Sequence, residues 1–149
     1  MNTTQKKGTF VPWLSAEDMH NNTLNWLSQL EFAKDEHLFF EDVVKTYIFQ
    51  LLEPEISSEN DALIKEINRS EKRVNLLVEA IKVHRSDLQI MLDSIKKHKE
   101  DEHYKKEHRN LTVLVSEFLK DYQTLKFKLF EVIQKILKKN KQHGLIDKL

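Results

Sequence analysis

The sequence predicts an all-α protein, an up-down-up antiparallel three-helix bundle of long helices with coiled-coil-like heptads. Three observations carry that expectation. The 149 residues include only 2 glycines and 2 prolines while 32% are charged, the profile of long helices rather than of sheets or glycine-rich loops. Apolar residues recur in three stretches at alternating spacings of three and four, the period of a helical seam. Pro54 separates the first stretch from the second, and a helix interior tolerates proline poorly.

Residues 1–14 read as an N-terminal arm. They carry Lys6 and Lys7 but lack the apolar run of a signal peptide, and Phe10, Val11, Trp13 and Leu14 suit a hydrophobic lid. Ser15-Ala-Glu-Asp supplies an N-cap followed by acids at the positive end of a helix dipole, so the first helix should start near Ala16. Its seam reads Met19, Thr23, Trp26, Leu30, Ala33, His37, Phe40, Val44, Tyr47 and Leu51, and it should run over residues 16–53. Ser57 or Ser58 can cap a second helix over residues 58–98, with the seam Leu63, Ile67, Ser70, Val74, Leu77, Ile81, His84, Leu88, Met91 and Ile95. The charged run from Lys96 to Glu102 marks the next turn, placed near Lys99 to Asp101. A third helix over residues 102–140 has the seam Tyr104, His108, Leu111, Val115, Phe118, Tyr122, Leu125, Leu129, Val132 and Ile136. It should stop at a lysine-rich last turn before Gly144, leaving residues 142–149 as a tail. Helices of about 40 residues would each extend ~60 Å, and short connections make neighbours antiparallel.

This length fits one domain, here residues 15–141, large enough to bury a core without staples. Cysteine is absent, which removes disulfides, thiolate metal sites and cysteine nucleophiles together. No stretch approaches the ~20 uncharged residues of a membrane span, so a cytoplasmic chain is expected. Net charge is zero. Residues 15–66 nevertheless hold 12 acidic and 3 basic side chains, against 12 and 19 in residues 67–149, so an acidic helix should lie against basic neighbours.

The helices carry more apolar surface than one seam needs. Phe32, Phe39 and Val43 lie on one flank of the first seam, with Leu27 and Leu38 on the other. The second helix adds a flank stripe at Leu76, Val83 and Ile90, the third Leu119, Phe130 and Leu137, with Phe127 nearly opposite its seam. Contiguous exposed apolar residues mark interfaces, so Phe32, Glu36, Phe39 and Val43 form the candidate interaction surface. A second copy of the chain, as in a homodimer, or another helical protein is the expected partner.

Each helix places one histidine in its seam: His37, His84 and His108. With turns centred near residues 55 and 100, His108 falls level with residues 92 and 18, and His37 lies about 11 residues, roughly 16 Å, from the level of His84, so the three cannot share an ion. His20 and His108 then fall at one level, with Glu17 and Asp87 near, and Glu17-x-x-His20 puts a carboxylate and an imidazole on one helix face as di-iron bundles do. These four residues define the alternative function, a His/carboxylate site for a transition metal; otherwise no cofactor is expected. His37-x-x-x-Glu41 resembles part of the hemerythrin ligand pattern. It departs from that pattern because His103 and His108 stand five apart, which points their rings in different directions. There is no P-loop, dinucleotide fingerprint or nucleophile elbow, and no catalytic residue is assigned. Residues 126–149 carry 7 lysines against 2 acids among Phe127, Phe130, Ile133 and Leu137, a pattern that could meet a membrane or nucleic acid. Arginine is absent after Arg109, which disfavours both partners beside a solvated lysine face.

The run from Trp26 through Leu30, Phe32 and Glu36 to Phe39 and Phe40 resembles a Trp-x3-Leu-x-Phe-x3-Glu-x2-Phe-Phe motif of small uncharacterised bacterial helical proteins, over about a tenth of the chain. That resemblance implies a cytoplasmic helical bundle and carries over no catalytic residues. The sequence as a whole leads to a non-catalytic, self-associating helical interaction module.

Overall fold

The computed structural model describes residues 15–54, 57–93 and 98–147. Four helices follow one another, α1 (Ala16–Thr46), α2 (Ile48–Leu51), α3 (Ser57–Asp93) and α4 (His98–Asp147), and the described residues contain no strand. The chain is all-α. Among the described residues no helix is long and apolar enough to cross a membrane. The N-terminal arm and its lid residues lie outside the described residues, as does seam position Ile95.

The start of α1 is set as its sequence dictates. Ser15 Oγ accepts the Asp18 N–H at 3.0 Å, and Asp18 Oδ2 accepts the Ser15 N–H at 3.5 Å, a reciprocal cap of two otherwise orphaned donors. The expected single helix over residues 16–53 is interrupted. The chain turns at Tyr47, resumes as the single turn α2, and ends before Pro54 with a tightened bond from Glu53 N–H to the Gln50 carbonyl at 3.3 Å. Just before the interruption the Thr46 hydroxyl donates to the Asp42 carbonyl at 2.8 Å, a back-bond that bends helices. The end of α2 is capped from α3, where the buried Asn60 amide donates to the Leu51 carbonyl at 3.0 Å.

The second turn falls earlier than the charged run suggests. α3 stops at Asp93 and α4 begins at His98, so Lys99 to Asp101 belong to a helix rather than a turn. Glu100, Asp101 and Glu102 fall at the start of α4, where the dipole favours acids; charge density there signals a helix beginning. The far end also differs. α4 continues through Gly144 to Asp147, because one glycine costs a helix only about 1 kcal/mol and no proline follows.

Two compact units make up the chain: Met1–Lys34 with Arg73–Leu119, and Asp35–Lys72 with Lys120–Leu149. In the first, Met19, Leu88, Met91 and Tyr104 pack as a buried cluster backed by Ala16. Numbers rise on α4 as they fall on α3, with the Arg73 guanidinium 5.4 Å from the Phe118 ring centroid and His84 against His108, while Trp26 of α1 meets His108. In the second, Phe40 meets Phe130 edge-on at 6.2 Å, Glu36 meets Lys126 and Glu53 meets Lys139, so α1 and α2 ascend with α4. His37 of α1 meets Ser70 of α3 in the opposite sense.

The three seams are the cores of these units. Met19, Thr23, Trp26, Leu30, Ala33, His37 and Phe40 are buried on α1, every seam position from Leu63 to Met91 on α3, and all on α4 from Tyr104 to Ile136 except the half-buried Val132. Val44 and Tyr47, beside the α1 interruption, are half-buried. Burying an aliphatic side chain such as Leu30 or Leu129 stabilises its unit by about 1.5–3 kcal/mol.

Candidate functional site

A cluster of buried polar side chains lies in the core of the first unit. Heptad positions on α3 and α4 bring His84 and His108 together inside it, with His84 Nε2 2.9 Å from His108 Nδ1. Both rings are fully buried. His84 Nδ1 is 3.4 Å from Glu107 Oε1, and His108 Nε2 is 3.3 Å from Asn22 Nδ2. One proton arrangement satisfies every nitrogen with both rings neutral: Asn22 donates to His108 Nε2, His108 Nδ1–H donates to His84 Nε2, and His84 Nδ1–H donates to Glu107. Aromatic faces complete the packing, Tyr104 stacking on His84 at 3.9 Å and Trp26 on His108 at 4.6 Å.

Burial keeps this chain of rings uncharged. Desolvation pushes the His84 pKa down, with Glu107 opposing it, and pushes His108 down to about 4, helped by the repulsion that two protonated rings would exert on each other. The Tyr104 phenol is held above its usual range, again mainly by burial. Its neighbour Thr23 opposes this but gives its own proton to the Met19 carbonyl at 2.7 Å, and among the described residues the buried Tyr104 hydroxyl has no partner in hydrogen-bonding geometry. The network reaches solvent through Glu107, whose other oxygen is 3.3 Å from the exposed His103. Beside it opens a cleft of about 210 Å³, lined by Asp87, Ile90, Met91, His103, Tyr104 and Glu107.

The second unit has its own polar layer. His37 Nε2 is 2.9 Å from Ser70 Oγ, and its ring stacks on Tyr122 at 5.0 Å. The Tyr122 hydroxyl donates to Glu36 Oε1 at 2.6 Å, and Lys126 Nζ reaches both Glu36 oxygens at 3.2 and 3.3 Å. Burial first, then the Glu36 carboxylate, raise the Tyr122 pKa far above the ordinary phenol range. A Ser-His pair invites comparison with a nucleophile and its base, and here both side chains are buried in the seam.

Several expected site residues stand elsewhere. Glu36 is half-buried, with its carboxylate held by Tyr122 and Lys126 of α4. Phe32 and Phe39 are 64% and 57% exposed, as the wheel suggested, while Val43 is half-buried. The pairing of His20 with His108 does not form. His108 spends both ring nitrogens on His84 and Asn22, Glu17 and Asp87 are exposed, and the described residues hold no group of three or more His, Asp or Glu able to bind a metal ion. The error came from the turn. Moving its centre from residue 100 to about residue 96 shifts the level opposite His108 from residue 92 to residue 84, since each residue of turn displaces the partner level by two. Asn22 and Glu107 occupy seam-flanking positions that face a neighbouring helix and leave no periodic signal, whereas Asn60, three residues before Leu63, continues the α3 seam as a polar residue that an apolar pattern does not reveal.

On the outside, α3 carries Leu76, Val83 and Ile90, 73%, 60% and 68% exposed and one heptad apart. Leu24, Val113 and Leu114 are exposed in the same unit, and Phe39, Phe49, Phe127 and Phe130 in the other. The second unit also has a cleft of about 340 Å³ among Gln50, Asn60, Val132 and Ile136, beside the 3.1 Å ion pair of Glu53 with Lys139. Comparison with known proteins places nothing beside this chain: no family model, no curated protein and no solved structure matches it.

Proposed function

We propose that this chain is a non-catalytic helical interaction module that associates with copies of itself, with α1, α3 and α4 ordered up, down and up. The observation that carries the reading is the heptad-spaced row Leu76, Val83 and Ile90, exposed on α3 although the α3 seam is already buried within its own chain. A helix with a completed inner seam and a second row outside has one apolar face more than its own unit requires. Phe32 and Phe39 give α1 a comparable outer row, also one heptad apart. The direction of the helices is supported by the contact pairs inside each unit, which ascend together on α1 and α4 and run oppositely on α3. The polar networks support a binding rather than a chemical role, because their imidazoles and the Ser70 hydroxyl are buried and already engaged.

Light scattering on the purified chain tests the proposal. A mass of two or more chains is expected, and a monomer across the accessible concentration range would overturn self-association. The variants Phe32→Ser and Phe39→Ser then report on α1: a fall to monomer places the contact on that helix, and an unchanged mass removes it from the interface.

A further inference from the structure

We infer that two copies pair through α3, antiparallel, about a two-fold axis at Val83. The inference rests on the self-association just proposed and specifies its geometry. The row is symmetric about its own centre, since Leu76 and Ile90 each lie seven residues from Val83. Antiparallel pairing at that point sets Val83 against Val83 of the second copy and Leu76 against Ile90 of the second copy, three layers of apolar contact.

Charge along α3 selects this arrangement. The exposed residues flanking the row on one side are Lys72, Glu79, Ser86 and Asp93, and on the other Ala80 and Asp87. Two-fold pairing brings Lys72 opposite Asp93, Glu79 opposite Ser86 and Ala80 opposite Asp87, so each end gains an opposite-charge pair and no like charges meet. Parallel two-fold pairing would instead turn one flank toward the other, setting Lys72 beside Arg73 of the second copy, Glu79 beside Ala80 and Ser86 beside Asp87, so two cations meet and no opposite charges pair. Ala80 and Ser86 are small, which lets two helices approach closely at the centre. The cleft beside Ile90, about 210 Å³ and lined also by Met91 and Tyr104, lies where Leu76 of the second copy arrives.

The absence of cysteine from the chain makes the test direct. Val83→Cys, Leu76→Cys and Ile90→Cys are each oxidised alone, and Leu76→Cys is also mixed with Ile90→Cys. A disulfide needs Cα atoms within about 7 Å, whereas in the two-fold arrangement the two copies of Leu76, or of Ile90, lie fourteen residues apart in level, about 21 Å along the axis. The two-fold arrangement therefore predicts a covalent dimer for Val83→Cys alone and for the mixture, and none for Leu76→Cys or Ile90→Cys alone. Cross-linking of all three single variants would show parallel pairing and overturn the inference. A dimer by light scattering with no cross-link at Val83 would overturn it too while leaving self-association standing, and a wild-type monomer would remove both. Circular dichroism of each variant confirms that the helices are retained at these exposed positions.

Discussion

Acidification should destabilise the first unit through His108, and the effect can be worked out in advance. In the unfolded chain this imidazole titrates near 6.5, whereas burial against His84 holds it at about 4 in the folded state. Above pH 6.5 it is neutral in both states and contributes no pH dependence. Between pH 6.5 and 4 the unfolded chain takes up a proton that the folded chain refuses, so stability falls as pH drops, and the loss levels off below about 4. A separation of 2.5 pH units at 1.36 kcal/mol each corresponds to about 3 kcal/mol, a large share of the 5–15 kcal/mol that holds a typical domain together. His84 is shifted in the same direction and adds to the loss, with Glu107 and Asp87 opposing it. Acid acts on the rest of the chain equally in wild type and variant, so the measurement is a difference. Urea unfolding of wild type and of His108→Gln at pH 7.5, 5.5 and 4 should show wild type losing about 3 kcal/mol more than the variant across that window. Parallel pH profiles, or an NMR titration placing the His108 ring near pH 6.5, would refute the neutral buried network.

Other positions give independent checks. Phe40→Ala, which removes a buried ring packed against Tyr122 and Phe130, should cost the second unit about 3–5 kcal/mol in urea unfolding; a loss below 1 would mean that its contacts are not closely packed. Asn60→Ala should cost about 1–3 kcal/mol by leaving the Leu51 carbonyl without its donor, and faster hydrogen exchange around α2 should accompany it.

How far the sequence could be read follows from the kind of signal each feature leaves. Burial along the helices was legible almost residue by residue, because a three-four alternation has a single solution on a helix, and positions from Met19 to Phe40, Leu63 to Met91 and Tyr104 to Leu129 obey it. What joined the helices was not. The sequence after α3 contains no glycine or proline, so only charge marks the end of the helix, and a difference of four residues there moves every opposing level by eight. The meeting of His84 with His108 was hidden by that arithmetic alone; each histidine was already assigned to the buried seam. Glu36 is a different case. On a wheel it stands beside Phe32 and Phe39, and nothing in α1 itself reveals that Tyr122 and Lys126, some 90 positions away, hold it inward.

The contact between His84 and His108 also settles a question that apolar heptads leave open. Seams of leucine and valine look much the same after a slip of seven residues, so α3 and α4 could in principle mesh at several offsets. Sliding one past the other by a heptad would set His108 against Leu77 or Met91, and the imidazoles would lose each other while remaining shut away from water. An unpaired buried polar group costs about 1–3 kcal/mol, and two would be stranded at once. Polar residues in an apolar seam act in this way as alignment marks, giving up some packing energy so that one offset is chosen over its near-equivalents.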